Sequence, residues 1–161
     1  MKQKRDKIKN AVLSVLFCLT IIGCSNNIVF QEARDLPPEG WDKDSVIVFK
    51  YMATDTSGTY NIVIDIRNNG NYQYQNFWLF INSTSPGNAI FKDTLECVLS
   101  DSHGRWIGKG GGSLYQLPVS FMQRIKFPEP GDYKFELIQG MREKTLKGIH
   151  NIGLRIIKDE P

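Results

Sequence analysis

The feature that most constrains this chain is an alternation of period two. Tyr60, Ile62, Ile64 and Ile66 alternate with Asn61, Val63, Asp65 and Arg67, the pattern of a half-buried strand, because successive side chains point to opposite faces of a sheet. Asn68-Asn69-Gly70-Asn71 then supplies a turn, since Asn and Gly tolerate positive φ. No window sustains the i, i+3, i+4, i+7 apolar spacing of a long helix, so the apolar face needs a second sheet to cover it. Strand patterns recur at Asp44–Met52, Phe77–Ile81, Thr94–Leu99, Trp106–Lys109, Ser120–Phe127, Tyr133–Ile138 and Ile152–Ile157. Phe77-Trp78-Leu79-Phe80-Ile81 is apolar on both faces and reads as a central strand covered on both sides, with Trp78 in the core. Pro128-Glu129-Pro130-Gly131-Asp132 is a turn. Strands at this spacing, with turns between them, predict an all-β fold: an antiparallel two-sheet β-sandwich of jelly-roll-like form.

The first residues read differently. Lys2, Lys4, Arg5, Lys7 and Lys9 precede the apolar run Ala11 to Gly23, too short to span a bilayer and of the right length for a signal peptide. Ile21-Ile22-Gly23-Cys24 resembles the bacterial lipobox, so residues 1–23 are expected to be cleaved and Cys24 to be the lipid-attachment residue. Residues 24–43, with Pro37-Pro38-Glu39-Gly40, then read as the lipidated Cys and a polar tether that orders near Trp41, and residues 44–161 as the single sandwich domain. Two or three acyl chains give stable membrane attachment without a span. Ser25-Asn26-Asn27 carries no acidic residue, which favours the outer membrane, facing the periplasm.

Cleavage also reverses the charge. The whole chain has 20 Lys+Arg and 17 Asp+Glu; losing five basic residues and Asp6 leaves 15 and 16, a net charge of −1. The basic excess belongs to the signal, and no nucleic-acid partner is expected.

Candidates for chemistry are few. Asp101-Ser102-His103-Gly104 sets three triad residue types side by side, but triads are assembled from distant segments, so this is turn chemistry. A hydrolase would need His103 or His150 to meet an acid and a nucleophile across the fold. Gly104-Arg105-Trp106-Ile107-Gly108-Lys109 is one residue short of a phosphate loop, and Gly110 stands where Ser or Thr would hold the metal. The cluster Gly108, Gly110, Gly111 and Gly112 instead marks a bulge or close backbone approach. Cys97, alone once Cys18 has left and Cys24 is lipidated, shares a strand face with Leu95 and Leu99 as a small buried hydrophobe. No catalytic residue, metal site or cofactor is assigned.

Binding features remain. Trp41, Trp78 and Trp106 are possible ring platforms, and Trp106 is the best placed, beside Arg105, Lys109 and the glycines. Gln139-Gly140-Met141-Arg142 adds an adaptable Met and an Arg. Trp106, Lys109, Met141 and Arg142 are therefore the candidate partner-binding residues. The alternative is a carbohydrate-binding sandwich, with Trp106 or Tyr115 exposed to a glycan on a concave face.

Several segments together resemble the GldH family of gliding-motility lipoproteins of Bacteroidetes. They include Tyr60-Asn61-Ile62-Val63-Ile64-Asp65-Ile66-Arg67-Asn68, Tyr74-Gln75-Asn76-Phe77-Trp78-Leu79-Phe80-Ile81, Asp93-Thr94-Leu95-Glu96-Cys97 and Gly104-Arg105-Trp106-Ile107-Gly108-Lys109-Gly110. Gly131-Asp132-Tyr133-Lys134-Phe135-Glu136, Gln139-Gly140-Met141-Arg142 and Gly148-Ile149-His150-Asn151-Ile152-Gly153-Leu154-Arg155 follow in order behind the lipobox. The resemblance implies a non-enzymatic accessory lipoprotein, with protein partners in the envelope machinery for gliding and the linked type IX secretion. It carries over no catalytic residue, and relatives also occur in bacteria that do not glide.

Overall fold

The computed structural model describes residues 27–159. The expected signal peptide, residues 1–23, and Cys24 lie outside the described residues. The strands are β1 (Ile28–Asp35), β2 (Trp41–Asp42), β3 (Ile47–Ala53), β4 (Thr59–Asn69), β5 (Asn76–Thr84), β6 (Ile90–Val98), β7 (Lys109–Gly111), β8 (Leu114–Ile125), β9 (Gly131–Gln139), β10 (Thr145–Leu146) and β11 (Ile149–Asp159). One sheet has the order β1-β11-β4-β8-β7, the other β3-β9-β5-β6, and β2 pairs separately with β10. All of these pairings are antiparallel. With the short β2, β7 and β10 set aside, the eight longer strands run first-eighth-third-sixth in one sheet and second-seventh-fourth-fifth in the other. That is the strand order of a jelly roll, as the sequence pattern predicts.

The alternation in β4 works as expected. Tyr60, Ile62, Ile64 and Ile66 are buried, facing the layer formed by Phe49, Phe77, Leu79, Ile81, Phe135 and Leu137 from the other sheet. On the outer face of β4, Asp65 meets Arg155 of β11: Nε donates to Oδ2 at 2.5 Å and a terminal guanidinium nitrogen to Oδ1 at 2.8 Å. Gly153 is paired with Asp65, and a Cβ there would lie only 3.3 Å from the Asp65 Cβ, so the glycine leaves room for that side chain.

Three expectations are corrected. The polar tether does not extend to residue 43, because Ile28 to Asp35 form β1, paired with β11 from Ile157 to Asn151. The Phe77–Ile81 segment is central in its sheet but covered on one face only; Phe80 is 44% exposed on the other, and Trp78 is half-buried there rather than in the core. Finally, Trp106 makes only an isolated bridge to Ser100, and the strand starts at Lys109. The glycine cluster does mark a close approach: a Cβ on Gly110 would overlap the Leu114 carbonyl, and Gly112 turns the β7–β8 hairpin at φ 73°.

Antiparallel strands gather the loops at two ends. The lower end holds Ile28, Asp159 and the turns at 54–58, 85–89 and 126–130. The upper end holds the segments 70–75, 99–108 and 140–148. Asp55 at the lower end accepts from the Lys158 ammonium at 2.7 Å, and from Ser57 and Gly58, which hold its carboxyl well below the usual carboxylate range.

Two outcomes follow from this packing. Ile64→Ala deletes fully buried methyl groups and is expected to cost about 2–5 kcal/mol in urea unfolding. For Asp55 the folded value lies below the unfolded one, so its contribution is present above the unfolded pKa and is lost as pH falls. A melting-temperature gap between wild type and Asp55→Asn is therefore expected at pH 7 and should close as pH drops below about 4.

Candidate functional site

The upper end is built around buried Gln139, the last residue of β9. Its Oε1 accepts from the Met141 N–H at 2.8 Å and its Nε2 donates to the Glu143 carbonyl at 2.8 Å, so one side chain folds the 140–143 turn. Met141 is pulled inward by this turn. It is only 8% exposed and its sulfur accepts from the Trp78 N–H at 3.4 Å, so Met141 is a packing residue and not the adaptable contact expected of it. Arg142 points out and is exposed.

A row of rings joins this turn to the 99–108 loop. Tyr72 is buried and packs edge-on against Tyr74 at 5.7 Å and tilted against Trp106 at 6.4 Å; Trp106 in turn lies 5.8 Å from Tyr115 of β8. Such offset and tilted pairs add to the stabilisation from area alone. The Tyr72 hydroxyl donates to the Asn76 carbonyl at 2.7 Å. The Tyr74 hydroxyl donates to Glu143 Oε1, which lowers the Glu143 carboxyl and raises the Tyr74 hydroxyl from their ordinary values. The other oxygen of Glu143 is buried and has no protein donor among the described residues. Gly148, at φ 89°, lets the chain pass so close to Tyr72 that a Cβ would overlap its backbone.

Trp106 and Arg142 are thus brought to one end of the sandwich, bridged through Tyr72, Tyr74 and Glu143. Lys109 is placed elsewhere: with Ile107, Gln116, Pro118 and Gln31 it lines a recess of about 480 Å3 on the outer face of the five-stranded sheet, beside the Asp65–Arg155 pair. Trp41 is not a surface ring; it is 1% exposed, packs on Phe77 at 5.9 Å and donates its indole N–H to the Ser45 carbonyl at 2.9 Å. Trp106 and Tyr115 are half-buried against each other, whereas a glycan platform needs open ring faces.

The Asp101–Gly104 segment is a turn. Asp101 Oδ1 accepts from the His103 and Arg105 N–H groups, both at 2.9 Å, and Oδ2 from Arg105 Nε at 2.8 Å. His150 is exposed at the start of β11, where its carbonyl accepts from the Leu36 N–H. Among the described residues no group of three His, Cys, Asp or Glu side chains is arranged to hold a metal ion. Cys97 is fully buried, and burial pushes its thiol up to about 12.

Residue type alone does not single out Tyr72, Tyr74 and Glu143. Their signal was faint: two tyrosines spaced by one residue, directly after an Asn-Gly turn.

The fold is that of an all-β protein, a jelly-roll sandwich. The model of the GldH lipoprotein family matches residues 28–156, and the chain belongs to that family. It is 31% identical over 163 residues to a gliding motility lipoprotein GldH homolog of Christiangramia forsetii, covering 95% of this chain and 99% of that one. It is 29% identical over 157 residues to gliding motility lipoprotein GldH of Flavobacterium johnsoniae, covering 93% and 97%. Among solved structures, dimeric latent PorU of Porphyromonas gingivalis aligns with 85% of this chain and 14% of its own, at 13% identity and a TM-score of 0.29.

Two outcomes test this geometry. Tyr74→Phe removes the donor that contributes most to stabilising the Glu143 carboxylate, so the Glu143 midpoint, followed by carboxyl NMR, should rise toward the ordinary carboxylate range. The Cys97 thiol should stay unreactive toward a disulfide reagent at pH 8 until urea unfolds the domain.

Proposed function

We propose that this chain is a non-enzymatic envelope lipoprotein that serves gliding motility and the linked type IX secretion machinery by binding protein partners. It is anchored through Cys24 in the outer membrane and faces the periplasm. The relatives it matches over nearly their full length are named for gliding motility, which supports the process. The observation that carries the mode of action is the joined upper end, where the ring row of Tyr72, Tyr74, Trp106 and Tyr115 braces two loops that present Arg142. A rigid aromatic base with an exposed Arg at its rim is the composition of a protein-binding hot spot. Lys109 extends the contact onto the neighbouring sheet face.

The lipidated protein, captured by a tag from its own outer membrane in detergent, is expected to bring down other motility or secretion components. Arg142→Ala with Lys109→Ala should weaken that capture about tenfold or more while leaving the melting temperature unchanged, since both side chains are exposed. Unchanged capture would place the contact elsewhere, and recovery of polysaccharide-utilisation proteins alone would favour the glycan-binding alternative.

A further inference from the structure

The lower end of the sandwich carries apolar surface that the fold does not cover. Ile90 and Phe91, at the start of β6, are 61% and 64% exposed. Phe91 forms one lip of a cleft of about 330 Å3 that opens between the two sheets; Met122 and Ile125 of β8 form the other, and Ile62 and Phe127 line its floor. Lys126 sits at the rim. Isolated exposed hydrophobes need no explanation, but one that overhangs an apolar cleft, with Ile90 exposed beside it on the other face of the strand, does.

The chain's own connectivity says what lies opposite this end. Ile28 begins β1 at the lower end, and Cys24 is four residues before it. Four residues reach at most about 14 Å even when fully extended. From β1 to β8 across the sheet is three strand spacings, again about 14 Å. An acyl group on Cys24 therefore holds the lower end within about one strand length of the bilayer surface. Exposed Ile and Phe with a nearby Lys, whose stem lies on apolar surface while its ammonium stays in water, is the composition that settles at a headgroup boundary.

We propose that the lower end of the sandwich rests on the lipid surface, with Ile90, Phe91 and the cleft between β6 and β8 taking the bilayer's acyl chains, so that Trp106 and Arg142 face away from the membrane. This rests on Cys24 being the anchor, and deepens the reading given above by assigning the protein an orientation.

The test uses the mature chain acylated on Cys24, reconstituted in vesicles of phosphatidylethanolamine and phosphatidylglycerol. An environment-sensitive dye is attached through Phe91→Cys, through Ile90→Cys, or at the opposite end through Arg142→Cys; buried Cys97 stays unlabelled. The dyes at 90 and 91 should be about fivefold less accessible to iodide than the dye at 142, and be quenched by lipids brominated on their acyl chains. Equal iodide access at both ends in protein that floats with the vesicles overturns the orientation and leaves the anchor standing. Protein that lacks the acyl mass and does not float overturns both. Shielding at 90 and 91 without quenching by brominated lipid puts a protein neighbour, such as a second copy, in the cleft and overturns the lipid assignment.

Discussion

One apolar layer between two sheets holds every other feature of this domain in place. Ile62, Ile64 and Ile66 on one side, with Phe77, Leu79 and Ile81 on the other, are all fully buried. The free thiol of Cys97 is part of that layer rather than of a crosslink. Removal of apolar surface from water is therefore the main source of stability, and the loops at both ends are positioned by strands that cannot shift register without turning their apolar faces outward.

The two ends then diverge. At the upper end polar side chains finish the structure: Gln139 folds its turn, and the Tyr74–Glu143 contact ties that turn to the ring row. At the lower end charged and polar side chains tie the turns together, Asp55 with Lys158 and Glu129 with the Gly87 N–H and Tyr133. The gap between β6 and β8 is left unfilled.

What was legible in the residues follows the same physics. The strands whose one face is buried, β4 and β9, declare themselves by strict alternation, and the Pro128–Asp132 turn by its composition. Cys97 was readable as a small buried hydrophobe because its neighbours Leu95 and Leu99 share its face. β1 was not readable, since only Ile28, Phe30 and Glu32 are even half-buried and the strand exists because β11 offers it a partner. Context of this kind outweighs intrinsic strand preference. Trp78 and Phe80 misled for the opposite reason: apolar residues on both faces imply two covers, and among the described residues only one sheet face is covered. The candidate site was half legible. Trp106 and Arg142 do share an end, but the glutamine that buries Met141 acts through the turn two residues on, which composition cannot reveal.

The seam between β1 and β11 has a mechanical meaning. Seven aligned positions join the first described strand to the last, and the Lys158 N–H also donates to the Asn27 carbonyl at 2.8 Å. On the proposed anchoring through Cys24 and contact at the upper end, a load between the two would run along β1. Its hydrogen bonds then lie across the force and are strained together in shear, rather than opened one at a time like a zipper. A jelly roll held by its first strand thus resists a pull along β1 better than one across it.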